Sequence, residues 1–470
     1  MRSAIVHPLT LLDLVLNSAG CVVLDGERLT ADDLATTAGR IAVGLERRGV
    51  GPGSGVVVVD NASGRDVLAV LLGTWWLGAH ATILPRSTTA SRLSAASRET
   101  GASVVVSASA LGGGAVPFGD LVAPMSATTG KYPGCNGSDI ALDIATSGTT
   151  GRPKFVSFTH EALAVNVADI ARRLGLGPAD RLYSPLPVSV AGVVGMVLLP
   201  GLLAGATTCI GRLEGSEVRH ASRDIRELAP TFVYGVPYVF DIVSRLGRAV
   251  DHKDLRWLVC SSAPLPQGTF DRVSAYFGVP PRSSYCLAEA GTVTLNTGTD
   301  DDELRTSVGV PLDHVTVELD ALAAGRRRVV VGGRSCGLGY RRAGRIERFA
   351  DGRVVTSDYG SLEGGVLRLR GRTDTIIQVA AQNVDITEVH DAMASCPGIK
   401  DYAVVAEHDH ALGQVPVLLV AKDGCRATVE QILDFCRTVL PAVAVPRSVR
   451  FVDRIARSAA GKPTLPYFDG

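Results

Sequence analysis

Residues 146–154 read Thr-Ser-Gly-Thr-Thr-Gly-Arg-Pro-Lys, which places four hydroxyls, two glycines and a lysine within nine positions. Glycine lets backbone N–H groups approach an anion closely, the hydroxyls add donors, and the lysine adds a compact positive charge. Such a stretch is a cradle for a polyphosphate. It is not a Walker loop, because no Gly-Lys-Ser/Thr stands at the required spacing. A plain surface loop would account for the glycines but not for the density of donors beside a lysine. The lysine is notable in itself. Only Lys131, Lys154, Lys253, Lys400, Lys422 and Lys462 occur among 47 basic residues, so a lysine beside glycines hints at a need for an ammonium rather than a guanidinium.

The elements that must hold this loop alternate. Residues 29–50 carry helical periodicity through Leu34, Ala38, Ile41, Ala42 and Leu45, 56–59 is a buried-strand pattern, 67–76 a helix and 81–84 a strand. Short strands at 104–106, 232–234 and 258–259 lie between helical segments. This alternation predicts an α/β chain with mostly parallel sheets covered by helices. After residue 308 the strands 315–319, 328–331, 354–356 and 366–370 are joined by Gly-rich turns, which predicts a β-rich subdomain. The last hundred residues resume an α+β pattern, with helices at 388–394 and 429–440 and strands at 401–407 and 415–422.

The 470 residues are long for one domain, and a composition of 46% hydrophobic and 20% charged residues suits a globular protein with a large core. Zero formal net charge argues against a nucleic-acid partner. Nine scattered cysteines without C-x-x-C spacing argue against a disulfide scaffold or zinc site and for a reducing cytoplasm. No convincing signal-peptide cleavage site follows the apolar N-terminus. The uncharged run 187–211 is long enough to span a bilayer. Pro200 and Gly192, Gly195, Gly201 and Gly205 interrupt it, so a buried helix followed by a strand is expected and no membrane span.

The loop is followed, in order, by Tyr285-Cys-Leu-Ala-Glu289, Thr356-Ser-Asp358, Gly371-Arg-Thr-Asp374 and Ala460-Gly-Lys462. Over nearly its whole length the chain resembles the superfamily of adenylate-forming enzymes, which includes acyl-CoA synthetases, peptide-synthetase adenylation domains and firefly luciferase. The resemblance implies activation of a carboxylate by ATP as an acyl-adenylate, with release of pyrophosphate, then transfer of the acyl group to a thiol. It implies that Thr146, Ser147, Gly148, Thr149, Thr150, Gly151 and Lys154 hold the ATP β- and γ-phosphates. Tyr285 is expected to stack on adenine near Ser262 and Ala263, Glu289 to help hold Mg2+, and Asp358 to accept from the ribose hydroxyls with Arg372 close by. Lys462 is expected to bridge the carboxylate and α-phosphate. Asp374 is expected to be the hinge between a nucleotide- and acyl-binding domain, 1–373, and a mobile C-terminal domain, 374–470. His160 follows the loop where the family often has histidine, and no catalytic role is assigned to it.

The chain departs from the family pattern at several of these positions. The usual Tyr-Gly-x-Thr-Glu has Cys286 for glycine, which could alter the backbone turn, and Ala288 for threonine, which removes the hydroxyl that touches the α-phosphate. A hydrogen bond to a charged group is worth roughly 1.5–3 kcal/mol. Gln378 and Ala381 replace a lysine and a glycine, and Ala381 would narrow the thiol path. Val188-Ser189 replaces an aromatic-His pair, and no aspartate is expected in the pocket wall to greet an α-amino group. Apolar walls at 188–196 and 232–240 suit a bulky hydrophobic acid.

The losses fall on phosphate handling. The sequence therefore points to an acyl-CoA ligase using ATP or acyl-AMP, Mg2+ and coenzyme A. The default expectation is the ordinary two-step reaction; the losses add a second reading, in which the adenylation half is impaired and thioesterification of a supplied acyl-AMP dominates. The ligase's partners would be a small-molecule carboxylic acid or its adenylate and a CoA thiol. An enzyme that loads a carrier-protein thiol and a non-catalytic adenylate-binding relative are the other readings.

Overall fold

The computed structural model describes residues 10–108, 114–124, 135–146, 154–211, 218–246, 252–322, 325–373, 375–379, 382–409, 413–457 and 463. A nine-stranded sheet runs in the order Val310–Pro311, Gly291–Leu295, Arg282–Leu287, Trp257–Cys260, Phe232–Gly235, Arg181–Ser184, Thr207–Ile210, Cys21–Leu24, Glu27–Thr30. A seven-stranded sheet runs Arg345–Arg348, Gly339–Arg342, Lys154–Thr159, Ile140–Thr146, His80–Pro85, Gly55–Asp60, Ala102–Val106. Helices cover both, so the chain is α/β as its alternation predicts.

The parallel expectation holds where strands alternate with helices, such as Gly55–Asp60 beside His80–Pro85 and Phe232–Gly235 beside Trp257–Cys260. All six residues of Gly55–Asp60 are buried, which explains its unbroken apolar sequence. At the edges the sheets turn antiparallel, because hairpins replace crossovers. One of these, Ile140–Thr146 with Lys154–Thr159, brackets the Gly-rich loop and pairs Thr146 with Lys154.

The helix expected over 29–50 is Ala31–Glu46. It starts late because Thr30 and Asp33 form a reciprocal capping box while Glu27–Thr30 pairs with Cys21–Leu24. The uncharged run is Ala191–Val193, a π-helical turn at Val194–Leu198, then Leu199–Leu203 and the strand Thr207–Ile210. The π turn falls just before Pro200, whose ring and missing N–H break the regular ladder. Among the described residues no helix is long and apolar enough to cross a membrane.

The β-rich stretch is not self-contained. Val315–Ala321, Arg327–Gly333, Val354–Glu363 and Val366–Arg372 form a four-stranded antiparallel sheet. The hairpin Gly339–Arg342/Arg345–Arg348 leaves it and joins the seven-stranded sheet beside Lys154–Thr159. The C-terminal α+β unit has a sheet of Gln382–Asp385, Ile376–Val379, Gly413–Ala421 and Tyr402–Asp409, with Ser448–Val452 added to Gly413–Ala421. Its helices Ile386–Met393 and Val429–Val439 bury residues such as Val389, Met393, Ile432 and Cys436 in clusters distinct from the main core.

Candidate active site

The strand Arg282–Leu287 carries one group of site residues and leads into another. The sheet register slips between Tyr285 and Cys286. Tyr285 is buried, and its hydroxyl donates to Asp358. Burial and the neighbouring carboxylate push the phenol far up, so it stays a donor. Asp358 is 4% exposed, and its backbone N–H donates to Thr356 Oγ1 at 3.0 Å. Arg372 lies directly opposite it in the sheet and donates from Nη1 to Oδ1 at 3.2 Å. A carboxylate offers about four lone-pair sites, so Asp358 keeps acceptor capacity after these bonds. Ser262 and Ala263 follow the adjacent strand Trp257–Cys260, paired through Cys260 and Ser283.

A second group lies just past that strand. Glu289 Oε1 accepts from the Tyr340 hydroxyl at 2.9 Å, and Lys154 Nζ sits 5.7 Å from the centroid of the Tyr340 ring. Tyr340 belongs to the hairpin that crosses from the β-rich region. Gly337 is required at the entry to that hairpin. A Cβ there would meet Val156 Cγ1 at 2.4 Å and the Glu289 carbonyl at 3.2 Å, while the Gly337 N–H donates to that carbonyl at 2.9 Å. Tyr340 brings Lys154 and Glu289, 135 positions apart in sequence, to one place.

Cys286 needs no glycine-like backbone, since its φ is not positive. Strand pairing resumes at Cys286 after the register slip and runs on to Leu287. The thiol lies 3.4 Å from Ser284 Oγ and 3.6 Å from Thr292 Oγ1, and burial pushes its pKa up. Ala288 beside Glu289 is partly buried. Ser262 is the strained residue instead, at φ 76°; a left-handed conformation costs a side-chain-bearing residue about 1–2 kcal/mol. Ser262 Oγ is 3.4 Å from Ser261 Oγ, which hydrogen-bonds Tyr234 at 2.6 Å. Gly192 makes room for that tyrosine, because a Cβ would lie 2.0 Å from the phenolic oxygen.

Val188, Val193, Met196, Val236 and Phe240 are buried along the expected acyl walls. Asp60 is bound behind this stretch, its Oδ2 accepting from the Ser189 N–H at 3.1 Å. It comes from the other large sheet, a proximity that residues 188–196 alone do not signal. His160 is fully buried, accepts from the Leu11 N–H at 3.3 Å and packs edge-on to Trp75.

Ser147, Gly148, Thr149, Thr150, Gly151, Asp374, Ala381 and Lys462 lie outside the described residues, as does the side chain of Gln378. Their flanks are placed. Thr373 donates its N–H to Ser357 O at 2.7 Å, and Asp385 accepts from Tyr359 at 3.2 Å and Thr375 at 2.8 Å. Arg457 pairs with Asp401 and stacks 4.9 Å over the Tyr238 ring, on the helix Pro237–Leu246. Tyr340, Asp385 and Arg457 are contacts that sequence reading missed. For Tyr340 a signal existed, a lone tyrosine after Leu-Gly at the start of a strand, but not its partner.

The two sets of side chains belong to an adenylate-forming enzyme of the acid–thiol ligase type, as comparison with known proteins shows. Residues 17–332 match the AMP-binding enzyme family and 388–462 its C-terminal domain; the chain belongs to this family. It is 29% identical over 464 residues to a feruloyl-CoA synthase of Amycolatopsis sp, covering 93% of this chain and 92% of the other. It is 30% identical over 338 residues to a probable 2-succinylbenzoate–CoA ligase of Mycobacterium tuberculosis, covering 69% and 82%. ATP-bound MatB from Rhodopseudomonas palustris superposes with a TM-score of 0.82 at 22% identity, over 97% of both chains. An o-succinylbenzoate CoA synthetase from Bacillus subtilis with its acyl-adenylate superposes with a TM-score of 0.83 at 19% identity, over 96% of both.

Proposed function

We propose that the chain joins a carboxylic acid to coenzyme A in two steps: acid and ATP give acyl-AMP and pyrophosphate, and the CoA thiol then displaces AMP. The observation that carries this reading is the arrangement around Arg282–Leu287, with Tyr285, Asp358 and Arg372 in one bonded set and Glu289, Tyr340 and Lys154 in another. The first set is suited to the nucleoside, with Asp358 accepting from ribose hydroxyls. The second is suited to the triphosphate. Glu289 fits Mg2+, a hard cation that takes one or two carboxylates together with substrate phosphates; Tyr340 uses one oxygen and leaves the other. The metal supplies neutralisation of the polyphosphate charge.

In the first step Lys154 and the donors of 146–151 orient the β- and γ-phosphates, and Lys462 brings carboxylate and α-phosphate together. In the second, the unit that begins near Asp374 rotates and opens a thiol path past Gln378 and Ala381. Adenylation is the slower half, because Ala288 offers no hydroxyl to the α-phosphate. The acid is hydrophobic and aromatic. Support comes from the apolar walls and from relatives whose names carry feruloyl and 2-succinylbenzoate groups. With CoA as acceptor, the site of action is cytoplasmic.

The test uses ferulic acid and other aromatic acids with ATP and Mg2+, following pyrophosphate, and separately synthetic acyl-adenylates with CoA, following thioester. Thioester from the adenylate at a rate above that of adenylation is expected. Fast adenylation from the free acid refutes the slower first half, and no thioester from any substrate refutes the ligase reading.

A further inference from the structure

The hairpin around the Gly-rich loop contains a buried charged cluster that the ligase reading leaves unused. Asp143 on Ile140–Thr146 stands directly opposite Ser157 on Lys154–Thr159, each three residues from the loop-bounding Thr146 and Lys154. Ser157 Oγ donates to Asp143 Oδ1 at 2.6 Å. Arg341 Nε donates to the same oxygen at 3.0 Å and to Ser157 Oγ at 3.1 Å, and its Nη1 donates to Gly344 O at 3.1 Å. Asp143 is 1% exposed, Ser157 0% and Arg341 6%. His80 Nε2 comes within 3.3 Å of Asp143 Oδ2, out of hydrogen-bond alignment. Burial pushes this imidazole down and the Asp143 carboxyl up, and Arg341, bonded to that carboxyl through Nε, is the cation set against it.

A buried ion pair is a poor source of stability, since apolar residues of similar volume pack as well at less desolvation cost. What such a pair does supply is a fixed geometry. Here the geometry is shared by three strands, and Arg341 is the neighbour of Tyr340. Tyr340 pairs opposite Val156, holds Glu289 and lies under Lys154. A shift of Arg341 along Asp143 would move Tyr340 against the hairpin, and with it the spacing between Lys154 and Glu289.

We propose that Asp143, Ser157 and Arg341 are positioning residues that lock the phosphate hairpin and the Tyr340–Glu289 pair into one rigid unit, and so set polyphosphate and metal binding apart from nucleoside binding. The inference rests on the nucleotide-site reading above. The polyphosphate probe is the non-hydrolysable ATP analogue adenylyl imidodiphosphate with Mg2+, and the nucleoside probe is AMP; each is titrated calorimetrically into the full chain. Arg341→Lys, Asp143→Asn and the double apolar variant Asp143→Leu/Arg341→Met are compared with the parent. The double variant keeps the core filled, so it carries the test where a single variant fails to fold. At least a tenfold loss of affinity for the analogue is expected, with AMP affinity within about twofold and the double variant melting close to the parent. Loss of both affinities in parallel, or neither, overturns the proposal. A parent chain that binds neither probe refutes the nucleotide-site reading itself, a different failure that is visible before any variant is made.

Discussion

The two halves of the site differ in how their side chains are held. On the nucleoside side, Tyr285 and Arg372 both bond directly to Asp358, Arg372 from the paired strand and Tyr285 from the nine-stranded sheet. On the phosphate side, Lys154 and Glu289 meet through Tyr340, whose strand pairs with that of Lys154. Both arrangements bridge two sheets: Tyr285 reaches Asp358 from the nine-stranded to the four-stranded sheet, and Tyr340 reaches from the seven-stranded sheet to Glu289, just past Arg282–Leu287. They differ in closure, the first converging on one buried carboxylate and the second running through a single tyrosine. Substitutions fall at Cys286 and Ala288, which belong to neither bonded set, while the nucleoside set keeps its residue types. A chain can lose a donor on which no neighbour depends without disturbing the rest. Removing a member of a tightly bonded buried group leaves its partners unsatisfied.

Variants can break or sharpen this contrast. The largest effect is expected for Lys462→Ala, which should slow adenylation about a hundred- to a thousandfold, as loss of an aimed donor does. Thioester formation from supplied acyl-adenylate should survive it, and equal loss in both assays would erase the separation of steps. Asp358→Ala should cost about a hundredfold in both half-reactions, since two charge-assisted bonds of roughly 1.5–3 kcal/mol end on that carboxylate and the nucleoside is present throughout. Rate measurements on the two half-reactions check it. Tyr340→Phe should lower adenylation about tenfold, by loss of one such bond to Glu289, and raise the Mg2+ concentration needed for half-maximal rate. Ala288→Thr should raise adenylation by up to about tenfold, and an unchanged rate would show that the phosphate side has no vacancy a hydroxyl can fill.

The smallest effect is on melting. Burial pushes His160 down to about 4, while the unfolded chain titrates near 6.5, so the unfolded state binds more protons between these values. Stability is therefore full above pH 6.5 and falls as pH drops toward 4. One such group is worth about 3 kcal/mol at about 1.4 kcal/mol per tenfold change in proton affinity. In a chain of this size that lowers the melting temperature by a few degrees. His160→Gln should flatten the dependence of melting temperature on pH across that window.

Much of this was legible in the sequence because it is local. The buried strand at Gly55–Asp60, the capped helix at Ala31–Glu46 and the broken apolar run around Pro200 each follow from neighbouring residues. The motif residues on the nucleoside side were legible through their order. Missing were the partners supplied by topology. Nothing near Tyr340 announces Glu289, nothing near Ser189 announces Asp60, and the crossing of Gly339–Arg342 between sheets leaves no mark in periodicity. Ser262 is a different omission. Its left-handed backbone is a property of the turn it occupies, and serine gives no warning of it.

The junction around Tyr359, Asp385, Tyr238 and Arg457 bears on the modularity of such chains. Asp385 accepts from Thr375 on its own side and from Tyr359 across the boundary, and Arg457 lies over Tyr238 in the same manner. A C-terminal unit grafted from a relative at residue 374 would bring its own counterparts of Asp385 and Arg457 but meet this chain's Tyr359 and Tyr238. A hybrid is expected to keep these two contacts only where the residues at 238 and 359 suit the incoming counterparts of Arg457 and Asp385.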